Sequence, residues 1–514
     1  MRRLAETLLA ALALAVGAAH AQTTPKERFD PLVDAVVARY HLPGIAVGVI
    51  ENGEVVYRRT AGELAVGSGQ AITPDALFKI ASNSKAMTAT LLARLVQQGK
   101  LRWDDPVKRW IPAFRMYDPW VTGHMQVGDL LTHRSGLGEG AGDLMLWPEP
   151  NAFTRQDIVA ALAYLKPRYS FRAGYAYDNL LYVVAGEVAA AAGGAPYETL
   201  LRREVFHPLG LARCQVGSWR RDALAPVAVP HAQRDGGFVP LTPGDPMVRP
   251  TTMEAAGGVQ CSLDDMLTWA RQWLAPTAEQ LAWLPQAQRD KLWTPYTPMP
   301  ISAQRRAWDG TRRYAYGYGW RIADVDGVQT VSHTGTLSGM YSALYLVPDR
   351  RDGFVVLING DAEDARTVLI EVLLKQFTAP EKARSVAAYA DELAAKESHR
   401  HASRVPDTSR RHPATRKELA GLLGVWRDPW FGEVRLCPRN DGVSFEAAKS
   451  PRLRGPVMRV GADYLVQWEH GDAEAWLHAP TRKLGNLQMS KVDPDADFSY
   501  DFEDLAFKRV RGCD

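Results

Sequence analysis

The chain has 514 residues, of which 46% are hydrophobic and 23% are charged, and these are ordinary proportions for a globular protein. Its length favours more than one domain, or one large domain with an appendage. The formal net charge of +3 is small for this size and gives no reason to expect nucleic acid or an anionic membrane surface as a partner.

The first residues have the pattern of a signal peptide. Arg2 and Arg3 precede a short apolar run over 8–19, and Ala19-His20-Ala21 fits a small-x-small cleavage site. We therefore expect residues 1–21 to be removed and the protein to be periplasmic or secreted, with no transmembrane anchor after cleavage. A retained N-terminal anchor is the alternative, although the apolar run is short for a bilayer span.

Residues 22–378 are predicted to form one mixed unit. A helix over 29–40 is followed by a strand over 44–50, an Asn-Gly turn and a strand over 55–57, which together indicate a hairpin. Later elements are predicted as helices over 157–165, 180–192 and 262–274 and as strands over 341–347 and 354–359. Because strands stand at both ends, the simplest architecture is an α/β fold of the α+β type, in which one antiparallel sheet is flanked by helices and joined to a mostly helical region.

Composition changes after residue 378. Residues 379–416 are predicted to be a polar, alanine-rich helix followed by a linker rich in Arg, His, Ser and Pro. Residues 417–514 contain short strand-like runs and little helix, at 431–436, 464–468, 473–478 and 505–510. We expect a small all-β C-terminal domain there.

Four cysteines allow three pairings in an exported protein. We favour Cys214 with Cys261 and Cys437 with Cys513, because each pair then lies within one predicted domain. The alternative is that some remain free, buried thiols. No cysteine or histidine spacing indicates zinc, and no metal or cofactor is expected.

The most informative motif is Ser82-Asn83-Ser84-Lys85, at the predicted start of a helix that ends near Gly99. Residues three apart share a helix face, so the Lys85 amine can reach the Ser82 hydroxyl. A serine hydroxyl is a weak nucleophile until a base takes its proton, and a buried lysine with a lowered pKa can be that base. For this pair alone, an N-cap serine beside an exposed lysine is the simpler explanation.

Two further clusters follow in order. In Tyr177-Asp178-Asn179, the tyrosine can relay a proton, and the asparagine can hydrogen-bond a substrate carbonyl and the lysine. In His333-Thr334-Gly335-Thr336, the glycine lets a substrate approach a strand edge, and the Thr336 amide, with that of Ser82, can stabilise an oxyanion. Taken singly, Tyr177 is explained as a core aromatic, Asn179 as a helix N-cap and His333 as a strand-end histidine. The functional interpretation rests on the clusters together.

With these clusters, the chain resembles the serine hydrolases of the class C β-lactamase and D-alanyl-D-alanine carboxypeptidase family, which carry Ser-x-x-Lys, Tyr-x-Asn and Lys-Thr-Gly or His-x-Gly in this order. Family-like phrases at 129–137, 256–258 and 316–320 extend the resemblance over roughly residues 30–375. The β-domain resembles a poorly characterised module found on some of these hydrolases. No Gly-x-Ser-x-Gly occurs, which disfavours an α/β-hydrolase.

The resemblance implies a β-lactamase/transpeptidase-like fold and an acyl-enzyme on Ser82. It implies that Lys85 and Tyr177 share the base and acid work, in an order that stays open. Substrate and oxyanion contacts are implied for a further set, which is Asn179, His333, Thr334, Gly335 and Thr336.

The departures from the family pattern concern the substrate. His333 stands where β-lactamases have a lysine that binds a carboxylate, and a neutral histidine does so less well. Asp178 stands where serine is common. We therefore expect a D-peptidase or amidase acting on small-molecule or peptide substrates, peptidoglycan-derived peptides among them, or an esterase. A β-lactamase ranks lower, and an inactive binding protein with the same fold is a further alternative. The oligomeric state and the role of the β-domain stay open.

Overall fold

The computed structural model describes residues 23–241, 246–440, 442–471, 473–480 and 486–513. The predicted signal peptide lies outside the described residues. Within them, no single helix has the length and apolarity of a membrane span, and only the bent pair Leu180–Gly193 and Tyr197–Leu209 meets both criteria together.

The N-terminal unit is built on an eight-stranded sheet in which every neighbouring pair is antiparallel. In spatial order its strands are Glu54–Gly62, Gly44–Glu51, Asp352–Ile358, Met340–Val347, Val328–Leu337, Arg321–Val325, Tyr314–Tyr316 and Thr297–Pro298. The first hairpin therefore pairs with strands made three hundred residues later in the chain, as Ile45 opposite Ile358 illustrates. The predicted antiparallel sheet built from both ends of the unit is confirmed.

Two helices, Pro25–Tyr40 and Glu363–Thr378, cover one face of this sheet. A third helix, Val386–Arg404, packs on these two, and the apolar residues of all three form one core with the sheet. Leu263–Leu274 packs on the opposite face, where Gly48 leaves room for the Leu267 side chain. The sheet is thus buried on both sides.

The helical region contains most of the remaining helices and the short strand pairs. Its helices are Ser84–Gln97, Val107–Trp110, Pro119–His124, Arg155–Ala161, Leu180–Gly193, Tyr197–Leu201, Arg202–Phe206, His207–Leu209, Glu254–Gly257, Ala278–Trp283 and Gln286–Leu292. The helix Ala303–Asp309 instead packs on Glu363–Thr378, and its Trp308 joins the core on that face of the large sheet. The strand pairs of the helical region are Phe78–Lys79 with Gln260–Cys261, Trp219–Arg220 with Met247–Val248, and His231–Arg234 with Gly237–Pro240. Helix Ser84–Gln97 is buried on almost every side, as its mostly apolar circumference predicts.

The C-terminal unit is a nine-stranded antiparallel sheet. Its strands are His412–Pro413, Gly424–Asp428, Gly432–Arg439, Gly442–Ala447, Arg454–Val460, Asp463–Val466, Ala475–His478, Gln488–Lys491 and Lys508–Arg511. An all-β C-terminal unit is therefore confirmed. Because the preceding helix continues to Arg404 and a strand begins at His412, the connection between the units is only residues 405–411, shorter than the linker that composition indicated.

Both favoured disulfides are present, and no cysteine is free among the four, all of which are described. Cys214 and Cys261 join two segments of the helical region. Cys437 lies in strand Gly432–Arg439 and Cys513 follows strand Lys508–Arg511, so this bridge lies within the C-terminal unit. Each bridge therefore stays inside one unit, as predicted.

Candidate active site

Ser82 lies in a tight turn that precedes the helix carrying Lys85. The turn is the 3₁₀ segment Ala81–Asn83, and Ala81 has a φ of 48°, which a residue with a side chain rarely adopts. Ser342 holds this strained turn, since its hydroxyl donates to the Ile80 carbonyl at 2.7 Å and accepts from Asn83 Nδ2 at 2.8 Å. The helix proper begins at Ser84, later than the sequence indicated, so Ser82 is partly accessible while Lys85 is buried.

Gly335 brings the strand Val328–Leu337 against this turn. A Cβ at position 335 would lie 2.2 Å from the Ile80 carbonyl oxygen and 2.3 Å from Ser342 Oγ, which are impossible contacts. Any side chain would push the strand away from the residues just before Ser82. The glycine of the His-x-Gly motif therefore sets the distance between the strand and the nucleophile.

The Lys85 amine is the centre of the polar network. Its Nζ donates to Ser82 Oγ at 3.1 Å, to Asn179 Oδ1 at 2.7 Å and to the Ala256 carbonyl at 2.8 Å. Burial lowers the pKa of Lys85 to about 7, although the carboxyl groups of Asp143 and Asp178 oppose this shift. A neutral amine beside the Ser82 hydroxyl is thus available near neutral pH.

The activity is accordingly expected to depend on pH. Because Lys85 loses its proton as the pH rises through about 7, kcat/KM for an uncharged ester should rise through that pH and then level off. A pH–rate profile measures this. The pKa of Asp178 is raised to about 6 by burial, so the isosteric change Asp178→Asn is the control. Because the Asp178 carboxylate raises the pKa of Lys85, the limb should remain in Asp178→Asn but move to lower pH. A profile that stays flat through neutral pH would contradict the assignment.

Tyr177 lies beside the lysine. The Lys85 Nζ is 4.8 Å from the centre of its ring, and burial raises the pKa of the Tyr177 phenol well above its usual value. The nearby Ser82 hydroxyl acts to lower the pKa of the phenol. The phenol oxygen nevertheless has no hydrogen-bond partner at normal distance and angle among the described residues. The tyrosine is therefore neutral at ordinary pH and has an unused donor close to the nucleophile.

Asn179 is held in one orientation by a carboxyl group that sequence analysis missed. Its Nδ2 donates to Asp143 Oδ2 at 2.8 Å, so its Oδ1 is turned toward Lys85. Asp143 is fully buried, and burial raises its pKa well above the usual value. The only local signal for this residue is the glycine pair Gly140 and Gly142, both with positive φ, which shape the turn in front of it.

His333 lies at the site, but both of its ring nitrogens are engaged. Nδ1 lies 2.7 Å from the Thr334 carbonyl oxygen, and Nε2 lies 2.8 Å from the Tyr316 hydroxyl. Since a carbonyl only accepts, Nδ1 carries the proton and Nε2 accepts from Tyr316. Burial lowers the pKa of His333 well below its usual value, so the ring is neutral. The ring supports the strand and Tyr316 and offers no free nitrogen to a substrate.

Thr334, Gly335 and Thr336 lie on an open strand edge. The neighbouring strand Arg321–Val325 pairs only as far as Ser332, so residues 333–337 have no partner on that side among the described strands. Arg321 lies where that pairing stops, and its Nη1 donates to Thr334 Oγ1 at 2.7 Å. The edge can therefore accept a substrate as an additional strand, with a guanidinium at its end.

Arg321 is the second functional candidate that sequence analysis missed. It is partly accessible, its Nε has no hydrogen-bond partner and no carboxylate lies within ion-pair distance of it among the described residues. With Thr334 and Thr336 it borders a cavity of about 360 Å³. A lone arginine carries no spacing signal, so only the structure reveals it. The described residues contain no cluster of His, Cys, Asp or Glu able to hold a metal.

The chain is similar to several known proteins. Penicillin-binding protein 4 of Amycolatopsis lactamdurans is 28% identical over 340 residues, which is 65% of this chain and 84% of that protein. Esterase EstB of Burkholderia gladioli is 30% identical over 373 residues, covering 64% and 89%. Among solved structures, the octameric penicillin-binding protein homologue from Pyrococcus abyssi superposes over 91% of this chain and 98% of that one, with a TM-score of 0.57 and 19% identity.

A match to a family model shows which family the chain belongs to. The model described as Beta-lactamase matches residues 29–376, which is well over half of the chain and includes every candidate residue from Ser82 to Thr336. The matched range ends with the helix Glu363–Thr378, so the C-terminal sheet lies outside it. The chain belongs to the Beta-lactamase family and is a hydrolase of its serine-dependent type.

Proposed function

We propose that the protein cleaves an amide or ester bond through an acyl-enzyme on Ser82. The observation that carries this is the contact of Lys85 Nζ with Ser82 Oγ at 3.1 Å, combined with the lysine pKa of about 7. Lys85 takes the Ser82 proton, and the Ser82 oxygen attacks the carbonyl carbon. Tyr177, neutral and without a partner, gives a proton to the leaving group and regains one through Lys85. Water then hydrolyses the acyl-enzyme.

The oxyanion of this reaction is assigned to two backbone amides, those of Ser82 and Thr336. The strained turn at Ala81 and the close approach at Gly335 support this assignment, because both fix the backbone on either side of the reacting carbonyl. Asn179, held by Asp143, positions Lys85 and the substrate amide. No cofactor takes part in these steps.

The substrate that fits best carries a carboxylate. Arg321 is a cation without a carboxylate partner at the end of the open strand edge, where the C-terminus of a peptide bound as a strand would lie. Arg321 thus supplies the positive charge that the neutral His333 ring does not. The proposal is therefore a D-peptidase or amidase acting on short peptides with a free C-terminus.

The carboxylate assignment is tested with paired substrates, a D-alanyl peptide as free acid and as its C-terminal amide. Arg321→Ala should raise KM for the acid by about 10- to 100-fold, since charge-assisted hydrogen bonds are lost, and should change KM for the amide little. Measurement at about pH 9 keeps Lys85 neutral in both proteins. Arg313→Gln removes an exposed arginine of the preceding loop and should leave both constants unchanged. Equal losses for acid and amide would refute a carboxylate role.

An esterase is the second candidate, and the 30% identity with esterase EstB favours it. A panel of p-nitrophenyl butyrate, D-alanyl peptides and nitrocefin ranks the substrates. We expect the peptides to give the highest kcat/KM. A higher value for the ester would select the esterase, and fast nitrocefin turnover would select a β-lactamase.

We further propose that the protein works outside the cytoplasm. The pattern of residues 1–21 and the presence of two disulfides support export.

A further inference from the structure

The C-terminal unit reaches into the active site of the N-terminal unit. The segment concerned is residues 493–504, here called the cleft loop, between strands Gln488–Lys491 and Lys508–Arg511. The Phe498 ring lies edge-on to Tyr177 with 5.7 Å between ring centres, and it borders the same cavity as Arg321. Gly140 has no Cβ to obstruct this approach, since a Cβ there would lie 2.5 Å from the Phe498 carbonyl oxygen.

Ser499 of the cleft loop hydrogen-bonds the carboxyl group that orients Asn179. Its Oγ donates to Asp143 Oδ2 at 2.9 Å, and Asn179 Nδ2 donates to the same oxygen at 2.8 Å. With Nδ2 fixed in this way, only Oδ1 of Asn179 can face Lys85, where it accepts at 2.7 Å. A single hydrogen-bonded path thus runs from Ser499 through Asp143 and Asn179 to the Lys85 amine.

Asp501 of the same loop fixes the backbone that carries Asp143. Its Oδ2 accepts from the Gly142 amide and its Oδ1 accepts from the Leu144 amide at 3.2 Å. These amides flank Asp143, so the turn cannot move without breaking contacts to the C-terminal unit. Asp501 is itself buried, and burial together with Asp143 raises its pKa well above the usual value.

We propose that Ser499 and Asp501 are positioning residues for catalysis, because they hold Asp143 where it turns the Asn179 carbonyl oxygen toward Lys85. The inference rests on the proposed Ser82 chemistry. It gives the C-terminal unit a role in the chemical step, beyond covering the cleft. Their hydrogen bonds go to Asp143, Gly142 and Leu144 rather than to Ser82.

Other contacts between the units supply the controls. Arg168 pairs with Asp504 at 2.6 Å, and Lys449 pairs with Asp157 at 2.8 Å. The Lys449–Asp157 pair is partly exposed on both sides, and neither pair includes Asp143, Asn179 or Lys85. If the cleft loop only docks the units, loss of Lys449 and loss of Ser499 should have similar effects.

The test compares Ser499→Ala, Ser499→Thr and Lys449→Gln in the full chain at about pH 9, where Lys85 is neutral. We expect Ser499→Ala to lower kcat for p-nitrophenyl butyrate, and the rate of Ser82 labelling by a fluorophosphonate, by about 10-fold while KM stays within about 2-fold. Ser499→Thr keeps the hydroxyl and should recover most of both rates. Lys449→Gln should match the wild type. An unchanged kcat in Ser499→Ala, or a change in KM alone, would overturn the proposal, as would an equal loss in Lys449→Gln.

The pKa of Lys85 provides a second test of the positioning role, and measuring it does not require catalytic turnover. The titratable groups that face Asp143 are Lys85, Asp178 and Asp501, and the Ser499 hydrogen bond opposes the upward shift of the Asp143 pKa. Removing that bond should favour protonated Asp143 and weaken its support of charged Lys85, so the pKa of Lys85 should fall in Ser499→Ala. NMR titration of isotope-labelled lysine measures it. If wild-type Ser82 fails to react with the fluorophosphonate, the Ser82 mechanism is wrong, while an unchanged Lys85 pKa in Ser499→Ala refutes the positioning role.

Discussion

Replacing Ser82 by alanine is expected to lower kcat by at least about 10⁴-fold. The substitution removes the hydroxyl oxygen that lies next to the Lys85 amine and would attack the carbonyl carbon. Its hydroxyl contacts Lys85, which keeps two other acceptors, so the fold should be unaffected. Steady-state hydrolysis of p-nitrophenyl butyrate measures the loss, and circular dichroism verifies the fold.

Mass spectrometry of the same variant tests independently whether Ser82 is the nucleophile. A fluorophosphonate should add mass to the peptide containing Ser82 in the wild type and add none in Ser82→Ala. Ser68→Ala, which removes an exposed serine, is the matched control and should be labelled at the wild-type rate. Hydrolysis by Ser82→Ala at the wild-type rate would show that another group is the nucleophile.

Replacing Lys85 by methionine is expected to lower kcat by about 10³-fold, a typical contribution of general base catalysis. Methionine fills a similar volume but cannot take the Ser82 proton. Loss of the Lys85 amine also leaves Asn179 Oδ1 and the Ala256 carbonyl without their donor, so the free energy of unfolding should fall by about 1–3 kcal/mol. Rate measurements and thermal unfolding separate the two effects.

Arginine at position 85 distinguishes a base from a fixed charge. It keeps a positive charge but does not release its proton at any working pH, so Lys85→Arg should be as inactive as Lys85→Met. Lys100→Met changes an exposed lysine just beyond the same helix and should retain full activity. Activity retained in Lys85→Arg would mean that Lys85 acts through its charge, and that another group accepts the proton.

The local part of the site could be predicted because its residues are close in sequence. Ser82 and Lys85 are three apart, Tyr177 and Asn179 are two apart, and Gly335 occupies a strand, so spacing alone places each set on one face or edge. The structure brings the first two sets together around the Lys85 amine, and it places Gly335 against the turn that carries Ser82. Two hairpins of the sheet, 44–57 and 341–359, could be predicted for the same reason, since their turns carry clear sequence signals. The strands Thr297–Pro298, Tyr314–Tyr316 and Arg321–Val325 were not predicted.

The remaining residues depend on contacts between distant segments, which spacing does not reveal. Asp143 is only an acidic residue after glycines until the fold places it against Asn179. Arg321 is a candidate because it lies at the last pair between strands Arg321–Val325 and Val328–Leu337, next to the open edge. For His333 the motif indicated a substrate contact, yet Tyr316 and Thr334 occupy both ring nitrogens, because the strand is buried there.

The hydrogen bond between Ser499 and Asp143 spans 356 residues of sequence. Ribosomes make the chain from its N-terminus, so Ser82, Lys85, Tyr177 and Asn179 are all synthesised long before the residues that complete their arrangement. Under the positioning role proposed above, the nascent N-terminal unit folds into a poorly active hydrolase. Full activity then appears only after residue 501 has been made and the second sheet has docked, which delays hydrolysis until late in biosynthesis.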